Sequence, residues 1–361
     1  MALFDINGNE ISSGSATVSE ELVRQAIVNG VASGEIELPT TTTSGTLSLG
    51  GIASYTSWLD GVKSAFDAMM ADYKSDAVDG IPLFIATDMH GSNLEVSRIP
   101  HNYDSRVFSL ALGDLCGDYF NTGQIASIKA AQKPITNIVS VAGNHDVVTK
   151  TTSDERASYY AINDAFKCTD SVHPDNRLYQ VVYDHLHGVK FVIVSGYHLN
   201  DSGYGMGTAY TNRIGTAEMA WLLDELSRND GYDIVVCSHE PLGASWVKRT
   251  GETVEDTGFA YYAGLRSVLV ARKNKTSGTV TDADGVEHSF DFTKAITKCL
   301  CSFHGHMHSE LYSQADGWTE YIERQYSVNV EGCVSWALID RNAMTLKIYK
   351  AGADNLVLDI S

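Results

Sequence analysis

No run of this chain is apolar for long enough to cross a bilayer, basic side chains are in the minority, and cysteine is sparse. Each shortage excludes something. The start, "MALFDINGNEISSG", has neither a basic segment nor an apolar core, so no Sec-type address is expected and no membrane partner. With 26 Lys and Arg against 45 Asp and Glu, the formal net charge is −19, which repels polyanions over most of the surface. A broad nucleic-acid-binding face is therefore not expected. The six cysteines, at 116, 168, 237, 299, 301 and 333, fall mostly inside apolar runs, where free cysteine behaves as a small buried hydrophobe. That usage points to a reducing, cytoplasmic compartment rather than to a disulfide framework.

What is present is a chain of 361 residues with 43% apolar content, ample for a substantial core. Residues 1–51 are rich in Ser, Thr and Gly and read as an arm or small accessory module, able to serve attachment or oligomerisation. Within them "DINGNEI" suggests a hairpin through Asn7 and Gly8, and "SEELVRQAIVNG" a short helix capped by Ser19. Residues 52–361 read as the main domain. Apolar residues at helical spacing from Tyr55 to Tyr73 predict an amphipathic helix that leads into it. The segments "IPLFIAT", "RVFSLAL" and "ITNIVSVA" then read as buried strands, with helix-like "GQIASIKAAQ" between the second and third. "YQVVYD" and "VKFVIVS" form a hairpin around His187 and Gly188, "TAEMAWLLDELSR" a helix, "YDIVVCS" another strand. Further hairpins are expected at Asp284–Gly285 and in "WALIDRNAMTLKIYKAG". The fold class is α/β.

The buried strands end in side chains that chemistry can use. The first ends in "TDMHG", with Asp88 and His90. The second ends in "GDLCGD", with Asp114, and the third in "GNHD", with Asn144, His145 and Asp146. The "VVCS" strand ends in His239, and the "KCLCSF" strand in "HGHMH", with His304, His306 and His308. Open α/β sheets place their sites at the carboxyl ends of strands. A single such tail could be a turn or a helix cap, but five in succession are not explained that way. Two Asp, one Asn and four His suit two adjacent divalent transition ions bridged by a carboxylate. Calcium would want more oxygen ligands, and no set of four thiolates lies near for a structural zinc.

In this order, D-x-H, GD, GNHD, H and GHxH, the motifs "TDMHG", "GDLCGD", "GNHD", "SHEP" and "GHMH" resemble those of the calcineurin-like metallophosphoesterases, over about residues 88–308. The resemblance implies a four-layer α/β/β/α sandwich and hydrolysis of a phosphate mono- or diester. It implies one ion on Asp88, His90 and His308, another on Asn144, His239 and His306, and Asp114 between them. The ions would be Mn, Fe, Zn or Ni. His145 would be the catalytic histidine. Some members pair that histidine with an acid three residues after the bridging Asp; here that position is Gly117, leaving Asp118, Asp146 or no acid at all to orient it. His304 is not a ligand position of the family and is expected to support the ligands or touch substrate.

Other candidates are weaker. His185 and His187 flank a turn and read as surface residues, and Cys116, two residues after Asp114, could make the site oxidation-sensitive. The glycine-rich stretch 200–212, preceded by Tyr197 and His198, could help select substrate, as could 242–256. The ending "WALIDRNAMTLKIYKAGADN" resembles those of phosphoesterase domains from phages and gut bacteria. With the N-terminal arm it raises two alternatives to a cytoplasmic phosphoesterase: a nuclease of the same fold, or a virion-associated anchoring protein.

Overall fold

A computed structural model describes residues 3–4, 10–11, 49–75, 79–91, 103–117, 127, 132, 137–147, 178–195, 214–243, 245–255, 263–326 and 333–361, with side chains of the first helix from Trp58 onward. The chain divides into two compact units, 1–48 and 49–361. In the first, strands β1 (Leu3–Phe4) and β2 (Glu10–Ile11) pair antiparallel on either side of Asn7 and Gly8. The helix expected after Ser19 lies outside the described residues, as do "GQIASIKAAQ" apart from 127 and 132, Asp118, and the stretch 197–212.

The second unit is built on two sheets. One has the order β18-β17-β16-β3-β4-β5. Its strands are β3 (Gly80–Ala86), β4 (Phe108–Leu112), β5 (Ile138–Val141), β16 (Ser335–Asp340), β17 (Thr345–Tyr349) and β18 (Leu356–Asp359). Strands β3, β4 and β5 run parallel, and the rest of the sheet is antiparallel. The other sheet has the order β10-β9-β14-β15-β13-β8-β7-β6. It comprises β6 (Gln180–Asp184), β7 (Val189–Ile193), β8 (Asp233–Cys237), β9 (Ser245–Lys248), β10 (Thr253–Glu255), β13 (Cys299–His304), β14 (Leu311–Ser313) and β15 (Glu320–Ile322). Its parallel centre is β7, β8, β13 and β15. A separate hairpin, β11 (Ser277–Thr281) with β12 (Glu287–Asp291), turns through Gly285 at φ +83°.

Alternation along the strands explains the packing, because successive side chains leave opposite faces of a sheet. In β3, Ile81, Leu83 and Ile85 join a core with Phe191, Val235 and Phe303 of the second sheet. Phe84 and Ala86 point the other way, into a core with Val62, Phe66 and Met69 of helix α1 (Leu49–Tyr73). Buried on both faces, the strand is apolar throughout, as parallel strands of α/β proteins are. The outer face of the second sheet, through Val192, Ile234 and Val236, packs on Leu222 and Leu226 of α3 (Thr216–Ser227) and Leu265 and Leu269 of α4 (Ala263–Lys273). Burying each such side chain favours folding by about 1.5–3 kcal/mol. Trp336 Nε1 donates to the Val62 carbonyl at 2.8 Å and pins α1 to its sheet.

The structure departs from the sequence reading in several places. Helix α1 begins at Leu49 rather than Tyr55, since Gly50 and Gly51 carry no side chains to reveal helical periodicity. His187 is buried rather than at the surface, its Nδ1 2.5 Å from Asp184 Oδ2 and its Nε2 3.0 Å from Tyr73 Oη. Residues 245–255, read as loop, form the hairpin β9–β10. Among the described residues five cysteines are buried, Cys116 included, and no helix is long and apolar enough to cross a membrane.

Candidate metal centre

The carboxyl ends of β3, β4, β5, β8 and β13 lie together, and their backbones interlock. The amides of Asp88, His90 and Gly91 donate to the carbonyls of Gly113, Asp114 and Leu115 at 3.0, 2.9 and 2.8 Å. The amide of Gly305 donates to the His239 carbonyl at 2.9 Å. Of the eight non-glycine residues with positive φ among those described, five are Asp88, His90, Asp114, His306 and His308. Left-handed backbone costs on the order of 1–3 kcal/mol at such residues and collects where a site requires it. Here it turns the chain sharply at each strand end so that the side chains converge.

Glycines are needed for that approach. A Cβ at Gly143 would overlap the Asp114 carboxylate, and one at Gly305 would overlap the Thr87 hydroxyl and lie 2.8 Å from Asp88 Oδ2.

The ligand-type atoms form three groups in which all lie within 4.8 Å of one another: Asp88, His90 and His308; His90, Asp114 and His145; Asp114, His239 and His306. His308 Nε2 is 3.2 Å from Asp88 Oδ1 and 3.2 Å from His90 Nε2. On the other side, His239 Nε2 is 3.2 Å from both Asp114 Oδ2 and Asn144 Oδ1, and His306 Nδ1 is 3.0 Å from Asn144 Oδ1. Asp114 belongs to two of the three groups, with His90 and His145 in one and with His239 and His306 in the other. Its Oδ1 accepts the His145 amide at 2.8 Å, which seats the single-turn helix α2 (Asn144–Val147) beneath it.

The electrostatics suit cations. Burial alone would raise the pKa of Asp114, yet His239 and His145 hold it well below the usual carboxylate range. Burial opposes charge on His239, but the Asp114 carboxylate pulls its pKa well above the ordinary value. Burial, with repulsion from His239, lowers His306 to about 4, and burial lowers His90. Neutral imidazole is the form that binds metal. Asp88 Oδ1 is buried with no well-aligned hydrogen bond, His308 Nε2 lying off-line at 3.2 Å, although Thr87 Oγ1 donates to the other oxygen at 2.7 Å. A buried carboxylate oxygen left without a donor is costly unless a cation faces it. The donor set of carboxylate, amide and imidazole therefore fits divalent metal ions.

The remaining candidates are placed differently from one another. His145 Nδ1 lies 3.1 Å from the Gly117 carbonyl, a backbone group that orients this ring. Asp146, fully buried, accepts the amides of Cys116 at 2.7 Å and Gly143 at 2.8 Å. It ties the two ligand loops together, and burial together with the Asp114 charge pushes its pKa up to about 7. Asp118 lies outside the described residues. His304 is fully buried, Nδ1 2.9 Å from Ser238 Oγ and Nε2 2.8 Å from Ser302 Oγ, and backs the His239 loop.

The sequence reading missed several supports. Thr87 braces Asp88, and the Leu112 carbonyl braces His239. Glu320, buried in β15, accepts Leu242 N and Trp246 Nε1, each at 3.0 Å, and so holds the chain that follows His239. The one available signal was a carboxylate inside an otherwise apolar strand; backbone carbonyls leave none.

Residues 81–310 match the family model described as calcineurin-like phosphoesterase. Among solved structures, PhoD is similar with a TM-score of 0.47 and 9% identity, over 78% of this chain and 68% of that one. TT1561 of Thermus thermophilus gives 0.41 and 9%, over 75% and 99%. Phosphopantetheinyl hydrolase (PptH) from Mycobacterium tuberculosis gives 0.39 and 15%, over 68% and 90%. None of these three reaches a TM-score of 0.5, and the family assignment rests on the match over 81–310. No curated protein matches the chain in sequence. The strand-end motifs, their convergence on one cation-binding centre and the family match together establish that the chain belongs to the calcineurin-like phosphoesterase family, as a hydrolase of phosphoester bonds.

Proposed function

We propose that the protein hydrolyses a phosphate mono- or diester at a dinuclear centre, with Asp88, His90 and His308 holding one divalent ion, Asn144, His239 and His306 the other, and Asp114 both. The observation that supports this most directly is that Asp114 belongs to ligand groups on both of its sides. Bound ions of this kind polarise phosphoryl oxygens and lower the pKa of a bound water toward neutrality. Asp88 and Asp114 contribute the negative charge that keeps two cations together. Asn144 offers a neutral oxygen to the side that already holds His239 and His306. His145 Nδ1 donates to the Gly117 carbonyl, which leaves Nε2, on a ring 30% exposed, to exchange a proton with the leaving oxygen.

The test is hydrolysis of p-nitrophenyl phosphate and bis-p-nitrophenyl phosphate by metal-stripped protein refilled with Mn, Fe, Zn or Ni, with Asp114→Asn as control. Metal-dependent turnover that disappears in the control supports the reading, and the preferred ester separates monoesterase from diesterase. Turnover that survives metal removal or the Asp114→Asn change overturns it.

A further inference from the structure

The turn that carries His306 and His308 leaves β13 at Gly305 and re-enters the sheet after Glu310. Both histidines sit at positive φ, 69° and 51°. Such backbone persists only where its surroundings over-determine it. His306 is fixed from within the site, its amide on Asp88 Oδ2 at 2.9 Å and its ring against Asn144 and His239. His308 is 47% exposed, so its surroundings restrain it less.

The far end of the turn is held from outside. Arg249, on the turn between β9 and β10, donates to Glu310 Oε1 from Nη2 at 2.6 Å and from Nε at 3.2 Å. Tyr321 Oη donates to the same oxygen at 2.9 Å, and Lys350 Nζ is 3.3 Å from Oε2. The Arg249 guanidinium also donates to the Asp354 carbonyl, so the fork cannot swing away freely. Arg249 and Glu310 are only 21% and 16% exposed, which sets them apart from the surface ion pairs that contribute little. Met307, lying between the two histidines, packs with Val254 of β10 onto Trp246, Leu311 and Ile322. Hairpin β9–β10 therefore grips the turn twice, by charge at 310 and by apolar contact at 307.

We infer that Arg249 and Glu310 are a positioning pair that sets His308 on the ion shared with Asp88 and His90. The inference rests on the dinuclear reading above. A simple staple for the hairpin would be indifferent to the metal. A positioning pair acts selectively on the ion that His308 serves, because His239 and His306 have their own supports.

The experiment is calorimetric titration of the metal-stripped full chain with Mn²⁺, for wild type, Arg249→Met, Glu310→Gln, the double variant and Arg249→Lys. Wild type is expected to take up two equivalents. Each single variant should keep one at wild-type affinity and weaken the other about 10- to 100-fold, the range for partners that orient a metal ligand. The double variant should be no weaker than either single one, the mark of a coupled pair. Arg249→Lys, which retains the charge without the fork, should recover part of the loss. Both equivalents bound as in wild type, or both weakened in parallel, would overturn the inference while leaving the dinuclear reading standing. Wild-type protein that takes up no Mn²⁺ would overturn both. Glu310→Gln preserves shape and tests the pair even if Arg249→Met does not fold.

Discussion

His239 Nδ1 lies 2.7 Å from the carbonyl oxygen of Leu112, the last residue of β4. The ring donates its Nδ1–H there, which fixes its orientation and aims Nε2 at Asp114 and Asn144. His145 repeats the device, with its Nδ1 on the Gly117 carbonyl. In each case main chain adjoining Asp114 decides which nitrogen faces the site, so one loop presents the carboxylate and orients two imidazoles.

Replacing His145 by alanine is expected to lower turnover about 10²- to 10⁴-fold while both metal equivalents remain bound. The loss should be larger for an alkyl ester than for a p-nitrophenyl ester, whose leaving group needs less protonation. Steady-state kinetics on the two esters, with metal content measured alongside, checks this; equal losses would remove the proton-transfer role.

Gly305→Ala places a methyl group against Thr87 Oγ1 and Asp88 Oδ2. Overpacking of this kind costs about 1–3 kcal/mol. The expected outcome is a lower thermal midpoint together with weaker metal binding, since the displaced atoms are those that brace Asp88. A variant with unchanged midpoint and full metal content would show that the loop relaxes without disturbing the ligands.

His304 makes stability depend on pH. Burial pushes its pKa down to about 3, whereas the unfolded imidazole titrates near 6.5. The unfolded chain therefore takes up the proton first as pH falls. The stability gained by keeping the ring neutral is complete above about pH 6.5 and declines toward pH 3. Urea melts of metal-free protein between pH 7 and 4 should show a steeper decline for wild type than for His304→Gln, by up to about 1.4 kcal/mol per pH unit. Parallel curves would mean that the ring is charged in the folded protein.

Cys116 is fully buried, two residues beyond Asp114. The native protein should resist iodoacetamide at Cys116, Cys237, Cys299, Cys301 and Cys333 and keep its activity, while the denatured chain reacts at each. Peptide mass spectrometry after brief labelling reads this directly. Carbamidomethylation of native Cys116 with loss of turnover would instead support the oxidation sensitivity that its position suggests.

The sequence by itself determined the α/β class, the buried strands and the chemistry at their ends. Those features are local: apolar runs mark strands buried on both faces, and Asp88, Asp114, Asn144, His239, His306 and His308 stand where such runs stop. What holds the ligands was decided only in three dimensions. Glu310 meets Arg249 and Glu320 meets Trp246 across separations of 61 and 74 residues, and neither pairing has a spacing that a sequence could display. The same is true of the Leu112 and Gly117 carbonyls, which every residue possesses, and of His187, placed by its turn at the surface but buried through Asp184 and Tyr73. A metal ligand must be a particular residue type and is therefore visible in the sequence. The groups that aim it need only the right position, and position is a property of the fold.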